Sequence, residues 1–394
     1  MEQALYKLPD GWEWHSVKKL SHNIQYGHTA KAESNGNAKF LRITDIQNGK
    51  IDWQGVPTVS LEEKEISKYA LNDDDLIFAR SGATAGKSIL IKNAPKDAVF
   101  ASYLIRIVPN KKDIIPEYLR YFFLTPAYWE VVGQNAAGAA QPNINGTKLS
   151  EFIVPVAPQG EQKRIVEKLD ALLTRIDTAI EHLQENLSTS KSLLASALFE
   201  KFHQEVNPTP IADIFNVHNG RAYKKPELLD SGKYKVIRIQ NLKGGENYYY
   251  SDLELDENKY CESGDLLFSW SGTPGTSFGA FIWNDEKAIY HYHIWKMEPK
   301  VEIASRYAYW VLKDITEEAI ANARGVAGML HITKGTMESF IVSLPSYEAQ
   351  QKIAKELDAL ALKSEQLQAE ISSKIDSLKH LKASILDSAF KGEL

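Results

Sequence analysis

The chain has 394 residues, room for two or three domains, and an ordinary globular balance of 43% hydrophobic and 25% charged residues. No apolar run approaches the ~20 residues of a membrane span, the N-terminal MEQALYKLPDGW lacks the basic start and apolar core of a secretory signal, and the single cysteine, Cys261, excludes an intrachain disulfide or a cysteine-built metal site and suits a reducing cytoplasm. The net charge of −5 means that a grip on nucleic acid has to come from local positive surface or from a partner.

In chain order, the first segment holds short β-like runs, KFLRITDI (39–46), DLIFAR (75–80) and YLIRIV (103–108), separated by Gly, Asn and Asp turns. YLRYFFLTPAYWEVV (118–132) reads as a helix interrupted at Pro126, and FIVPVAP (152–158) as an apolar strand whose prolines mark its exit. From Glu161 to about Phe202 the period changes. Leu169, Leu172, Ile176, Ala179, Leu183, Leu193 and Ala197 fall on 3,4 spacing without a proline, which predicts one long helix with a heptad-like seam. HQEVNPTP (203–210) is a polar linker into a second mixed segment, with a helix near 305–323 and a closing strand FIVSLPS (340–346). A second long helix follows, its seam carried by Leu357, Leu360, Leu367, Ile371, Leu378, Leu381 and Ile385. The expected division is therefore 1–157, 158–202, 203–346 and 347–394.

The chain is written twice, with a period near 190 residues. LRITDI (41–46) returns as IRIQNL (237–242), DDDLIFARSGATAG (73–86) as SGDLLFSWSGTPGT (263–276), and ASYLIRIVP (101–109) as HYHIWKMEP (291–299). AYWEVV (127–132) pairs with AYWVLK (308–313), and SEFIVPVAPQGEQKRIVEKLDALL (150–173) with ESFIVSLPSYEAQQKIAKELDALA (338–361). Neither long helix can bury its stripe alone, so the expected architecture is α+β: two mixed domains separated by two long helices in an antiparallel coiled coil, with a pseudo-twofold internal repeat. At ~1.5 Å per residue each helix would span about 60–65 Å. Polar residues interrupt the seam at Asn186, Ser190, Ser364 and Lys374, and two of these gaps are expected to be filled by a larger residue of the partner helix.

The stretch RSGATAGKS (80–88) outlines a phosphate-binding loop, but three residues separate Gly82 from Gly86 where four are needed. The second copy keeps the Gly turn and loses the lysine, so the turn is read as structural. Asp73-Asp74-Asp75 invites a metal, yet only the last acid recurs, as Asp265, and turn entry into a strand is the simpler reading. His291 and His293 have strand-like i,i+2 spacing and are either a DNA-facing or packing pair or a metal pair.

Two similar but unequal domains on a shared scaffold suit a split target such as DNA, whose recognition modules are spaced by about one helical turn or a multiple of it. The whole length resembles the DNA-specificity (S) subunits of type I restriction–modification enzymes. The resemblance rests on the tandem arrangement and on LPDGW with Val17, LRITDIQNG, DLIFARSGATAGKS, QPNINGTKLSEFIVPVAP followed by EQKRIVEKLDALL, and the closing ILDSAFKGEL. It implies a non-catalytic subunit with two target-recognition domains, bound to double-stranded DNA, to two methyltransferase subunits and to ATP-driven restriction subunits. S-adenosylmethionine, ATP and Mg would then belong to those partners, with no cofactor or metal in this chain, no membrane association, and a cytoplasmic location.

Candidate DNA contacts in the first domain are His28, Thr29, Lys31, Arg80, Ser81, Lys87, Gln141 and Asn143. In the second they are Arg221, Lys224, Lys225, Asn241, Lys243, Trp270, His291, His293, Arg324 and His331. Arg and Lys suit guanine or phosphate, Asn and Gln suit adenine. Arg42 and Arg238 occupy matching positions, which favours a shared structural or phosphate role. Phe390 and Leu394, in the closing SAFKGEL, are candidates for docking the methyltransferase. The competing readings are a P-loop hydrolase, a coiled-coil scaffold with carbohydrate- or protein-binding globules, and an orphan or modification-only specificity subunit.

Overall fold

A computed structural model describes residues 5–47, 49–136, 143–203, 207–273, 277–321, 324–326 and 329–394. The chain divides into two units, one of residues 1–183 with 373–394 and one of residues 184–372. No helix among the described residues is long and apolar enough to cross a membrane.

Unit 1 starts with strands β1 (Glu13–Ser16), β2 (Ser21–Tyr26) and β3 (Ala38–Leu41), the hairpin β4 (Ile46–Gln47)–β5 (Lys50–Ile51), β6 (Thr58–Val59) and helix α1 (Glu63–Tyr69). Strands β7 (Leu76–Ala79), β8 (Ser88–Leu90), β9 (Ala98–Phe100) and β10 (Leu104–Pro109) follow. Then come helices α2 (Pro116–Phe122), α3 (Pro126–Ala136) and α4 (Gly146–Glu151), strand β11 (Ile153–Val156) and the long helix α5 (Gln159–Phe202). The main sheet runs β2-β10-β7-β8, all antiparallel. β7 has no exposed residue, which is why LIFA reads as a continuous apolar run. A second sheet, β6-β3-β9, pairs β3 with β9 in parallel, and β1 pairs antiparallel with β11.

Unit 2 holds β12 (Pro208–Pro210), α6 (Ile211–Ile214), β13 (Phe215–Asn219), β14 (Tyr234–Ile237), α7 (Ile239–Leu242), β15 (Tyr249–Ser251) and β16 (Tyr260–Cys261). It continues with β17 (Leu266–Ser269), β18 (Ser271–Gly272), β19 (Gly279–Ile282), β20 (Ala288–Tyr290), β21 (Ile294–Pro299) and helix α8 (Ser305–Ala321). β22 (Arg324–Val326), β23 (Met329–His331), α9 (Lys334–Ser339), β24 (Ile341–Ser343) and the long helix α10 (Tyr347–Lys391) complete the chain. Its main sheet is β13-β21-β17-β19, again antiparallel; a second, β15-β14-β20-β16, contains the parallel pair β14–β20; and β12 pairs with β24. The connectivity thus follows the scheme of unit 1 strand for strand at these positions.

Packing corrects the sequence alignment in one place. Tyr118 donates to the Pro155 carbonyl at 2.8 Å in unit 1, and Tyr307 to the Ser343 carbonyl at 2.8 Å in unit 2. Three residues on, Tyr121 donates to Asp170 and Trp310 to Asp358. YLRYFF (118–123) is therefore the counterpart of YAYWVL (307–312); the AYWEVV–AYWVLK match is a local coincidence. Pro126 starts a separate helix, α3, where α8 runs on unbroken.

Each long helix is tied to its globular part by a fully or nearly buried glutamine. Gln162 accepts from Ile115 N–H and donates to the Ala157 carbonyl, each at 2.8 Å. Gln350 accepts from Ala304 N–H and donates to the Pro345 carbonyl, each at 2.9 Å. In unit 1, Leu169, Leu173 and Ile176 of α5 share a core with Leu386, Ala389 and Phe390 of α10, with Lys382 on Asp177 at 2.6 Å beside it. In unit 2, Leu194, Ala197, Leu198 and Phe202 of α5 pack with Ile353, Ala354, Leu357 and Ala361 of α10, and Lys201 meets Glu356 at 2.8 Å. Both pairings are antiparallel. The seam differs from the expected one: Leu193, Leu367 and Leu381 are roughly half exposed, while Leu173 and Ile375 are buried in their stead. The polar interruptions differ too. Ser190 and Ser364 face each other, hydroxyl to hydroxyl at 3.2 Å, so neither gap is filled by a larger residue.

Candidate nucleic-acid interface

In unit 1, five chain segments are laced side by side where the sheets end. Ala101 N–H donates to the Leu41 carbonyl at 2.9 Å, Ser102 N–H to His28 at 2.9 Å, Arg80 N–H to Tyr103 at 3.0 Å and Ile144 N–H to Arg80 at 2.8 Å, and Ser81 is bridged to Asn143. The result is a row of Ala101-Ser102-Tyr103, Arg80-Ser81 and Asn143, with Arg42 beside its first member. Unit 2 repeats this frame bond for bond. His291 N–H donates to Ile237 at 2.9 Å, Tyr292 N–H to Arg221 at 3.1 Å, Trp270 N–H to His293 at 3.2 Å and Ile332 N–H to Trp270 at 3.1 Å, and Ser271 pairs with His331. Its row is Arg238, His291-Tyr292-His293, Trp270-Ser271 and His331. One glycine makes each row possible. A Cβ on Gly27 would lie 2.3 Å from the Ala101 carbonyl oxygen, and one on Gly220 would lie 2.2 Å from that of His291.

On the unit 1 row, the Arg80 guanidinium sits over the Tyr26 ring at 5.2 Å, and the Tyr26 hydroxyl accepts from Gly146 N–H at 2.8 Å. Ser81 is half-buried and Asn143 exposed, and Tyr103 stands 66% exposed beside them. Thr29, Lys31 and Lys87 are exposed. His28 is not a free reader: its ring meets Glu65 at 3.2 Å and lies edge-on to Tyr69 at 5.1 Å. Gln141 lies outside the described residues.

The turn after β7 is structural. Gly82 and Gly86 adopt φ of 77° and 85°. The amides of Ala85, Gly86 and Lys87 donate to the carbonyls of Gly82, Ala79 and Thr84, and the Gly86 carbonyl accepts from buried Tyr128 at 2.7 Å. Amides committed to backbone carbonyls cannot cradle a phosphate. The aspartate triplet is likewise used up locally. Asp73 accepts from Ala94 N–H at 3.0 Å, Asp74 is paired with Lys92 and Lys111 at 2.6 Å each, and Asp75 accepts from Asn72 N–H at 2.9 Å. No group of three or more His, Cys, Asp or Glu among the described residues could hold a metal.

On the unit 2 row, Trp270 stacks on Trp295 at 5.6 Å, meets His293 edge-on at 5.4 Å and donates its indole N–H to the Tyr292 carbonyl at 2.8 Å. The rings of His291 and His293 are 5.0 Å apart. Burial, then His293 and Arg238, push the His291 imidazole down to about 4, so it is neutral at pH 7 and offers one donor and one acceptor. His331 is exposed, and Arg324 is placed opposite it in the β22–β23 pairing. Lys224, Lys225 and Lys243 are exposed. Two expectations are corrected. Arg221 is held fork-on by Glu227 at 2.8 and 3.0 Å. Asn241 is 4% exposed and spends its side chain on Arg238 N–H, Gly245 and Asn247, leaving nothing for a base.

The docking residues are corrected as well. Phe390 is 3% exposed, packed on Tyr118 at 4.8 Å and Phe122 at 5.7 Å, with its carbonyl accepting from Tyr6 at 2.5 Å. Leu394 packs against the same core, and its backbone oxygen accepts from Arg164 at 2.6 Å. SAFKGEL closes the core of unit 1. Sequence reasoning also passed over Tyr26, Tyr103 and Tyr292. The signal was there: aligning ASYLIRIVP with HYHIWKMEP sets Tyr103 on His293 and Ser102 on Tyr292.

A duplicated backbone frame with exposed aromatic, basic and amide side chains is the outline of a two-module recognition protein. The family model of the type I restriction modification DNA specificity domain matches residues 9–188 and again 204–377, and the chain belongs to this family. It is 25% identical to the type I restriction enzyme EcoKI specificity subunit of Escherichia coli (strain K12), over 98% of this chain and 90% of that one. It is 26% identical to a putative type I restriction enzyme MjaX specificity subunit of Methanocaldococcus jannaschii, over 90% and 88%. Among solved structures, a chain of a type I R-M system superposes with a TM-score of 0.78 at 18% identity, covering 99% of this chain and all of that one. The HsdS subunit from Thermoanaerobacter tengcongensis gives 0.55 at 19% identity, with full coverage of both.

Proposed function

We propose that this chain, a DNA-recognition subunit of a type I restriction–modification complex, reads an asymmetric bipartite site, the row of each unit contacting one half. The observation that carries the reading is the pair of rows: one hydrogen-bond frame with different side chains at nearly every outward position. Direct readout needs side chains at base edges, while phosphate contacts set register. Two such rows from a duplicated ancestor, dressed unlike, give a target whose halves differ.

On this reading the chain is non-catalytic and cytoplasmic. Two methyltransferase subunits bring S-adenosylmethionine and flip the target base, and restriction subunits bring ATP and Mg. The long helices serve as spacer and as docking surface for the methyltransferase. The exposed leucines Leu193, Leu362, Leu367 and Leu381 support that second role, and Phe390 has no part in it. The test is methylome mapping of cells with and without the gene. A split, asymmetric motif that vanishes with the gene is expected; a single uninterrupted word would overturn the reading.

A further inference from the structure

Arg42 and Arg238 hold equivalent places, each directly after the central strand of a parallel pair, β3 or β14. Each donates its backbone N–H to the side chain three residues on: Arg42 to Asp45 at 2.8 Å, Arg238 to Asn241 at 2.9 Å. The sequence match suggests one shared role. The guanidinium groups show two.

Arg42 folds back on its cap. Its Nε and Nη2 donate to the Asp45 carboxylate at 3.1 and 2.7 Å, a closed charge pair. Asn241 has no charge to offer and turns its amide N–H groups to the Gly245 and Asn247 carbonyls. Arg238 is left with one bond from Nη2 to the Asn247 carbonyl at 2.8 Å and a place 4.3 Å over the Tyr249 ring. Its Nε is buried with no hydrogen-bond partner. Among the described residues, no carboxylate pairs with it. It stands at the end of the unit 2 row, next to His291, whose backbone N–H is held by Ile237.

We propose that Arg238 is a DNA contact of unit 2, its guanidinium meeting a phosphate or a guanine edge, and that Arg42, clasped by Asp45, is not its counterpart in unit 1. The proposal rests on the rows being DNA interfaces. A planar cation stacked on a tyrosine, with no neutralising carboxylate among the described residues, is set for an acceptor-rich anionic ligand, and duplex DNA is the anion this family's specificity domain implies. The Asp45/Asn241 difference decides which arginine is free.

The complex with its methyltransferase is assayed on the duplex given by methylome mapping. Arg238→Ala should weaken cognate binding tenfold or more, and Arg42→Ala less than threefold. If the acceptor is a phosphate, the log–log salt slope falls by about one and all sequences suffer alike; if it is guanine, discrimination at one position of the second half-site relaxes. Both results support the contact. Arg238→Lys keeps the charge and the stem, so it guards against a folding failure of the alanine variant, and it should still lose threefold or more because the fork is gone. Folded Arg238→Ala or Arg238→Lys complexes that bind within twofold of wild type overturn the proposal. Wild-type complex without preference for the mapped duplex would instead overturn the functional reading beneath it.

Discussion

Unit 1 lines its row with Ala101, Ser102, Tyr103, Arg80 and Asn143, whereas unit 2 places His291, Tyr292, His293, Trp270 and His331 at the same hydrogen-bond stations. The first is open and carries a free-standing tyrosine; in the second the rings of Trp270, His291, Tyr292 and His293 are in mutual contact, with exposed His331 at the end of the row. The difference shows where each half keeps its invariants. Backbone pairing, the buried strands and the glycine at the close approach hold the frame, and none of these depends on the outward side chains. A row can therefore change its ligand without being refolded. The helices make the same point in their core: the layer formed by Ile176 and Leu378 in unit 1 corresponds to Ser190 and Ser364 in unit 2.

The strongest way to test the equivalence of the halves is at the phenylalanines that close each core. Phe390→Ala removes a ring packed on Tyr118 and Phe122 and should destabilise unit 1 by about 3–5 kcal/mol. Phe202→Ala, on Tyr307 at 5.4 Å, should do the same in unit 2. Denaturant unfolding should show an early transition in each variant. A Phe390→Ala protein that melts like wild type yet fails to retain the methyltransferase would restore Phe390 to a docking role.

A smaller effect is expected at the close approaches. Gly220→Ala forces a methyl against the His291 carbonyl, at a cost of roughly 1–3 kcal/mol from overpacking, and displaces the unit 2 row. Gly27→Ala does so in unit 1 against Ala101. Each variant should lose discrimination in one half of the target and keep it in the other, read on duplexes with either half scrambled. Equal loss in both halves from a single substitution would mean that the rows do not act separately.

Much of this was legible in the sequence because periodicity and repetition are one-dimensional signals. The 3,4 spacing gave both long helices, and LIFA and LLFS gave the buried central strands. Direction is not legible in this way. Arg221, His28 and Asn241 have the chemistry of readers, but Glu227, Glu65 and the carbonyls that claim them lie 6, 37 and 4–6 residues away along the chain, and composition does not say which surface polar group is already taken. The seam also departs from the 3,4 pattern at Leu193, Leu367 and Leu381, which stay roughly half exposed, because spacing along one helix does not say where the facing helix covers it. The match of AYWEVV to AYWVLK failed because letter identity outweighed the hydrogen bonds of Tyr118 and Tyr307, which only the fold displays.

The finest distinction between the halves lies in the serine layer. Ser364 Oγ lies 3.2 Å from Ser190 Oγ and 3.3 Å from the Ser190 carbonyl, and it accepts from Gln368 at 3.0 Å. Truncating Ser364 alone leaves the Ser190 hydroxyl and the Gln368 amide short of a partner in a site with little water, so Ser364→Ala should cost about 1 kcal/mol. Ser190→Ala should cost less, because Ser364 keeps its bonds to the Ser190 main-chain carbonyl and to Gln368. The double variant should cost no more than Ser364→Ala alone, a non-additivity that a double-mutant cycle measures directly. The apolar layer of unit 1 should behave otherwise: Ile176→Ala leaves a cavity, at about 2–4 kcal/mol, and truncating Leu378 as well gives no rescue. Additive costs at Ser190 and Ser364 would mean that the hydroxyls act independently, and the serine layer would then be a packing gap rather than a polar pair that replaces the apolar one.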